Sequence, residues 1–248
     1  MQLGFIGTGN IAAAMVEGLG GNAVLSPRGE LLAADLARRF PGVTVADSNQ
    51  AVVDQCDLVV LSVRPQIAEE VVRPLRFRPG QRVLSLLAAT KIETIKSWIA
   101  VDVPVVRAIP LPFVADRRCV TPIYPPNPEV AELFDRLGQT VECQTQKEFD
   151  LLAVGSALMG SYFGLLDLAQ GWLVAEGMPE ASARSYLAGL FDNLGRVAEQ
   201  SPKGFAELRD EYSTRGGLNE QVFRVFSQEG GADALRTALG QVLQRVRG

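Results

Sequence analysis

A glycine-rich segment near the start of the chain has the residue types that hold a phosphate group. The segment Gly7-Thr8-Gly9-Asn10-Ile11-Ala12 fits the pattern G-x-G-x-x-G/A. The first glycine permits a tight turn, the second lets the backbone approach a pyrophosphate, and the small last residue permits close helix packing. Since an apolar strand is predicted before it and a helix after it, we predict a dinucleotide on this helix N-terminus. The alternative is a tight turn without a ligand.

The residues after the second predicted strand indicate which dinucleotide is bound. About 20 residues after the first glycine, NAD-binding chains place an acidic residue on the ribose 2′-hydroxyl. This chain has Ser26-Pro27-Arg28 there and no acid. Because a hydroxyl and a guanidinium suit a 2′-phosphate, we predict NADP. In the alternative, Ser26 and Arg28 only begin the next helix.

The sequence contains no histidine. This excludes Ser-His-Asp and Cys-His catalysis and any zinc site built from imidazole, and we predict no metal. Proton transfer must use carboxylates, hydroxyls, Lys, Tyr, Cys, water or a cofactor.

Charge and cysteine usage limit the partners and the compartment. The net charge is −4, so nucleic acid is not an expected partner. The three cysteines are far apart and lack a C-x-x-C pair, which indicates buried thiols in a reducing, cytoplasmic compartment. The first ten residues also lack the basic and long apolar segments of a signal peptide.

Short β-rich segments alternate with helical patterns in the first half, which is typical of a parallel sheet with crossover helices. Strands are predicted at residues 2–6, 23–25, 43–45, 58–63, 82–86, 103–108 and 119–124, and helices at 10–19, 30–40, 49–55, 66–75, 92–99 and 128–137. Only helices are predicted later, at 148–176, 179–200, 202–212, 219–228 and 232–246. We therefore predict an α/β domain at residues 1–146 and an all-α domain at 147–248.

One predicted helix is apolar enough to raise the question of a membrane. Residues 151–166 carry no charge, and the apolar run continues to Ala175. Several glycines and Asp167 interrupt it, so we expect a buried helix packed through its small residues, with a membrane span as the alternative. A dimer is expected because monomers rarely expose such a surface.

A second candidate anion site lies in the helical half. Gly216 and Gly217 precede a predicted helix, and their N–H groups can face a carboxylate. Asn219 can donate to an imine or a carbonyl, or it is a plain helix N-cap. Ser156 and Tyr162 are expected to serve helix packing more than catalysis.

The order of these segments resembles the pyrroline-5-carboxylate reductase family over nearly the whole chain. The segments in the first half are Gly7-x-Gly9-Asn10-Ile11-x-x-x-Met15-x-x-Gly18-Leu19, Ser26-x-Arg28, Ser48-Asn49-x-x-Val52-Val53, Asp57-Leu58-Val59-x-Leu61-x-Val63-Arg64-Pro65 and Arg107-Ala108-Ile109-Pro110. Those in the second half are Ser156-x-x-x-Gly160-x-Tyr162-Phe163 and Ser213-Thr214-Arg215-Gly216-Gly217-Leu218-Asn219.

The resemblance implies a Rossmann-type domain followed by a helical domain that dimerises by interleaving helices. It implies hydride transfer from NADPH to the C=N carbon of 1-pyrroline-5-carboxylate, which gives L-proline. The implied cofactor-binding residues are Gly7, Gly9, Asn10, Ile11, Ser26, Arg28, Asn49, Val63, Arg64 and Pro65. The implied substrate-binding residues are Gly216, Gly217, Leu218 and Ser156, and Asn219 is the catalytic candidate.

The chain departs from the family mainly in the substrate half. Leu111 replaces the asparagine of Arg-x-Met-Pro-Asn, and Asn219 replaces the hydroxyl residue that contacts the imine nitrogen. Reduction of a different imine and a non-catalytic NADP-binding homologue are therefore alternatives. A hydroxyacid dehydrogenase is disfavoured, because such enzymes need a lysine in the long helix and residues 151–175 contain none.

Overall fold

The computed structural model describes residues 1–247, which divide into two compact units. The first unit is Met1–Ala153 together with the last residues from Arg245, and the second is Val154–Gln244. The boundary falls within a helix, somewhat later than the predicted limit at residue 146.

The first unit is built on one eight-stranded sheet. Its strands are β1 (Leu3–Ile6), β2 (Ala23–Leu25), β3 (Val43–Val45), β4 (Leu58–Leu61), β5 (Arg82–Ser85), β6 (Val105–Ala108), β7 (Cys119–Tyr124) and β8 (Gly138–Glu142). They lie in the order β3-β2-β1-β4-β5-β6-β7-β8. The first six strands are mutually parallel, which confirms the predicted fold class.

The last two strands depart from the all-parallel prediction. Strand β7 runs antiparallel to β6, with Arg107 opposite Tyr124. The connection between them holds only a short 3-10 helix, Pro112–Val114, and so lacks the crossover helix that a parallel return needs. Strand β8, which was not predicted, pairs in parallel with β7 at the edge of the sheet. It was missed because its partly exposed sequence Gly-Gln-Thr-Val-Glu has little apolar alternation.

Six helices cover the two faces of this sheet. They are α1 (Asn10–Leu19), α2 (Glu30–Arg39), α3 (Asn49–Gln55), α4 (Pro65–Val72), α5 (Ile92–Trp98) and α6 (Pro128–Asp135). One core cluster joins Phe5 to Met15 of α1 and Phe134 of α6. The other joins Ile6 to helices α3, α4 and α5. Burial on both faces explains why the central strands are nearly all apolar.

The remaining helices are α7 (Gln146–Ser156), which crosses the boundary, then α8 (Leu158–Ala175), α9 (Glu180–Gln200), α10 (Phe205–Glu211), α11 (Leu218–Gln228) and α12 (Gly231–Arg247). The single helix predicted at 148–176 is thus two, divided at Ala157. Helix α8 packs against α9, where the Tyr162 and Phe191 rings meet edge-on with centroids 5.7 Å apart.

The expectation that this apolar segment is buried is wrong for the single chain. Helix α8, all of which the structure describes, has no buried residue, and Asp167 is exposed. By length and composition alone, Gln146–Ala175 could cross a membrane, which is weak evidence for a span. The same composition suits a surface that another protein chain covers.

Candidate functional site

The glycine-rich turn joins β1 to α1, as predicted, and its two glycines have different physical roles. Gly7 has φ +95°, and a Cβ there would come within 2.7 Å of the Ser62 carbonyl oxygen. Gly9 has an ordinary φ of −102°, and a Cβ there would meet no heavy atom within 4 Å. The fold itself therefore requires glycine at Gly7, whereas Gly9 leaves open space in front of the first turn of α1.

Ser26 holds the turn in place. Its side chain is fully buried, and its Oγ accepts a hydrogen bond from the Gly7 N–H at 2.8 Å. Thr8 adds a second tie, since its Oγ1 donates to the Ser26 carbonyl oxygen at 3.2 Å. This burial leaves Arg28, which is exposed, as the residue of the pair that faces solvent.

A cavity of about 410 Å³ opens beside this turn. It is lined by Gly7, Thr8, Gly9, Arg28, Gly29, Ser62, Val63, Arg64 and Ile67. Five of the ten predicted cofactor residues are in this set: Gly7, Gly9, Arg28, Val63 and Arg64. The structure adds Thr8, Gly29, Ser62 and Ile67 to the cavity lining. Of these four residues, only Thr8 could have been found from the sequence, because it lies within the glycine-rich motif.

The cavity has the electrostatics of a phosphate site. Arg28 and Arg64 bring two guanidinium groups to it, and within residues 1–247 neither forms an ion pair. The N-terminus of the ten-residue helix α1 lies at Gly9, where its unpaired N–H groups favour an anion. These features fit the phosphates of a dinucleotide.

The other predicted cofactor residues do not line this cavity. Asn10 and Ile11 begin α1, with Asn10 exposed and Ile11 packed against the core. Asn49 begins α3, which Ser48 caps by accepting the Ala51 N–H. Pro65 is the first residue of α4.

In the second unit, the loop before α11 pairs its own donors. The Gly216 N–H donates to the carboxylate of Glu220, and the Gly217 N–H donates to the Thr214 carbonyl oxygen at 2.7 Å. Gly216 has φ +74°, which favours glycine. The N–H group of Gly216, which was predicted to bind a ligand carboxylate, is therefore already bound to the Glu220 carboxylate of the same chain.

Asn219 is not the N-cap of α11. Gly217 occupies that position, and Asn219 is the second residue of the helix. Its Nδ2 donates to the Tyr212 carbonyl oxygen at 2.7 Å, which anchors the exposed amide above the loop. Of the other predicted substrate residues, Leu218 is exposed and Ser156 is the half-buried last residue of α7.

No metal centre accompanies these sites in the part of the chain that the structure describes. Within residues 1–247, the Cys, Asp and Glu side chains form no group of three or more that could hold an ion.

The fold and the cavity together define a Rossmann-type dinucleotide-binding protein with a helical second unit. A family model described as NADP oxidoreductase, coenzyme F420-dependent, matches residues 2–89. A second, described as pyrroline-5-carboxylate reductase dimerisation, matches residues 149–248. The class is therefore an NADP-dependent oxidoreductase with an oligomerisation region.

Relatives match nearly the whole chain. A pyrroline-5-carboxylate reductase from Glycine max is 29% identical, and the alignment covers 99% of this chain and 94% of the relative. The 1-pyrroline-5-carboxylate reductase of Streptococcus pyogenes has a TM-score of 0.87 at 22% identity, covering 99% of this chain and 97% of that one. Pyrroline carboxylate reductase of Plasmodium falciparum, solved with NADP bound, has a TM-score of 0.84 at 15% identity, covering 100% and 97%. Over nearly its whole length the chain is thus similar to pyrroline-5-carboxylate reductases, and residues 149–248 match the dimerisation model of that family.

Proposed function

We propose that the protein uses NADPH to reduce the C=N bond of 1-pyrroline-5-carboxylate to the C–N bond of L-proline. The observation that carries this proposal is the open phosphate cavity at the glycine turn, in a chain related to such reductases over 99% of its length. The absence of histidine agrees with it, because the cofactor performs the redox chemistry and the protein positions and polarises the substrate.

Residues of the first unit would hold the dinucleotide by its phosphates. The open space at Gly9 and the first turn of α1 suit the pyrophosphate, and the exposed Arg28 suits the 2′-phosphate. Arg64 supplies a second positive charge at the cavity. When bound, NADPH supplies the hydride that is added to the imine carbon.

Residues of the second unit would orient the imino acid. The N–H groups of Gly216 and Gly217 suit its carboxylate, provided that the Glu220 carboxylate releases Gly216. One N–H of the Asn219 amide is held by Tyr212, so the second N–H and the amide oxygen remain for the imine nitrogen. We propose Asn219 as the catalytic contact, with Leu218 and Ser156 as further substrate neighbours.

We also propose a homodimer in a reducing, cytoplasmic compartment. The exposed apolar faces of α8 and α11 support assembly with a second copy, as does the match to a dimerisation family. The three cysteines are free and buried, which supports a reducing environment.

NADPH oxidation by the purified protein tests the reaction. We expect absorbance loss with 1-pyrroline-5-carboxylate and formation of L-proline, while cofactor fluorescence reports binding. A panel of cyclic imino acids with larger and smaller rings runs in parallel, because the substrate loop differs from the family pattern. NADPH binding without turnover of any imine would reject the reductase and favour a non-catalytic NADP-binding protein. Turnover of another ring size alone would reject only the named substrate.

A further inference from the structure

A second cavity of the first unit lies apart from the glycine turn. It measures about 390 Å³, and its lining includes Ala89, which follows β5, and Arg107 of β6. Strand β5 pairs in parallel with β4, and β6 pairs in parallel with β5, so this cavity opens at the same carboxyl edge of the sheet as the nucleotide cavity, displaced along it.

The lining of this cavity is strongly cationic. Among the lining residues in the described range 1–247, Lys91, Arg107, Lys147 and Arg247 contribute four positive charges, against one carboxylate, that of Asp150. Lys91 and Lys147 are exposed, so they can reorient toward a ligand at little cost. An excess of cations around a concave surface attracts anions.

Arg107 is the unusual member of this set. It is only 5% exposed, and its Nε is the one buried side-chain nitrogen or oxygen without a hydrogen-bond partner among the described residues. Its guanidinium carbon lies over the Phe149 ring, 4.6 Å from the ring centroid, where a cation is favoured. Burial lowers the pKa of Arg107, and the charges of Asp150 and Glu93 oppose that shift. A buried cation whose N–H donor has no partner costs free energy, and an anionic acceptor would remove that cost.

Asp150 does not fill that need. Its carboxylate is almost fully buried and accepts a hydrogen bond from Gln146 Nε2 at 2.5 Å. No ion pair within 4.0 Å joins it to Arg107 anywhere in residues 1–247. Its charge favours the protonated guanidinium from a distance, and the Nε donor is left for another group.

We propose that this cavity is an oxyanion-binding subsite that takes the carboxylate or phosphate group of a small-molecule ligand. Arg107 is its buried contact, and Lys91 and Lys147 are its outer contacts. The subsite is separate from the nucleotide cavity and independent of the proposed reaction, because ligand occupancy here requires no turnover.

Calorimetric titration of the NADPH-saturated protein with inorganic phosphate, and separately with glutarate, tests the proposal. Saturation with NADPH keeps phosphate out of the nucleotide cavity. We expect at least one of the two probes to bind, and the stronger one identifies the acidic group as phosphate or carboxylate. Failure of both probes to bind would overturn the proposal.

Variants locate the binding. Arg107→Gln should weaken it about tenfold or more, because a hydrogen bond to a charged group is lost. That change also removes the stacking on Phe149, so a melting curve must accompany it. The double variant Lys91→Gln/Lys147→Gln leaves the core intact and should weaken binding about tenfold. Lys96→Gln is the matched control, since Lys96 is an exposed lysine of α5 that pairs with Asp102. Equal losses in the control and the double variant would refute the assignment.

Discussion

The two units differ in how far a single chain completes them. In the first unit both sheet faces are covered, and almost every large apolar side chain of its central strands is buried. In the second, Leu168 is 72% exposed, Trp172 64% and Val222 70%. Exposed apolar surface of that extent is typical of a site where a protein contacts another surface. The first unit therefore covers its own apolar surface within one chain, whereas the second exposes a large apolar surface, which the proposed homodimer would cover.

The polar groups of the two candidate sites also differ in how many of their hydrogen-bonding partners the chain itself supplies. At the nucleotide cavity the turn is locked by Ser26, and Arg28 and Arg64 face open space. In the loop before α11, the N–H groups of Gly216 and Gly217 already donate hydrogen bonds to Glu220 and Thr214. If these residues form the proposed sites, cofactor binding needs little rearrangement, whereas substrate binding must first break the contact between Gly216 and Glu220.

The sharpest test of the second unit is Asn219→Ala. If the anchored amide contacts the imine, kcat should fall about 10²- to 10³-fold with NADPH affinity unchanged. Stability should fall by only about 1 kcal/mol, because one hydrogen bond to Tyr212 is lost and Gly217 still caps the helix. Steady-state rates and melting curves measure both. The control is Asn193→Ala, which removes a similar amide bond to the Gly189 carbonyl. A parent-like kcat in the Asn219→Ala variant would remove Asn219 from the site.

In the first unit, Gly9→Val should weaken NADPH binding by about 100-fold or more, since two or more charge-assisted contacts are blocked. The fold should survive, because the φ of Gly9 is ordinary and the space around it is open. Gly7→Val should instead unfold the domain, through its positive φ and the Ser62 carbonyl. Fluorescence titration and melting curves separate the two. If the Gly9→Val variant binds NADPH as tightly as the parent protein, the turn does not contact the pyrophosphate and has only a structural role.

A charge on the exposed face of α8 tests whether a second copy covers it. Trp172→Glu should raise the dimer dissociation constant about 30-fold or more, as expected for an aromatic residue central to an interface. Light scattering across a concentration series measures this. Leu31→Glu is the control, because Leu31 is 90% exposed on α2 of the first unit. Equal behaviour of the two variants would leave the contrast between the units without support.

Cofactor choice is a smaller effect. Arg28→Ala should weaken NADPH about tenfold and leave NADH nearly unchanged, because only NADPH carries the 2′-phosphate. Arg38→Ala removes an exposed arginine of α2 that pairs with Asp35 and should change neither affinity. Equal losses for the two dinucleotides would separate Arg28 from the 2′-phosphate.

The smallest effect concerns the contact between Gly216 and Glu220 at the proposed substrate site. Glu220→Gln replaces a competing carboxylate with a weaker acceptor, so KM for the imino acid should fall about two- to fivefold. Glu229→Gln, at the other end of α11, is the matched control. A higher KM would mean that Glu220 supports the loop rather than blocks it.

The predictable features of this chain are the local ones. The turn at Gly7, the alternating strands and helices and the helical second half follow from spacing and period, and all are present. Strand β8 was missed because an edge strand buries too little to show a pattern. The antiparallel β7 depends on a connection too short for a crossover helix, which strand patterns do not encode.

The candidate site was less predictable than the fold, because the burial and the contacts of its side chains depend on residues that are distant in sequence. Ser26 is predicted from the sequence to contact the cofactor, whereas in the structure it is buried and accepts a hydrogen bond from the Gly7 N–H. Asn219 was a possible N-cap from the sequence, but Gly217 is the N-cap and α11 begins at Leu218. Arg107 was visible only as part of a motif, since its idle Nε depends on Phe149 and Asp150, which are distant in sequence.

The central claim is that the protein transfers hydride from NADPH to an imine carbon. Incubation with 1-pyrroline-5-carboxylate and NADPH deuterated at the transferable position tests it most directly, with mass spectrometry and NMR of the product. We expect L-proline that carries one deuterium at C5. NADPH bound to the protein with no deuterated proline formed would contradict it.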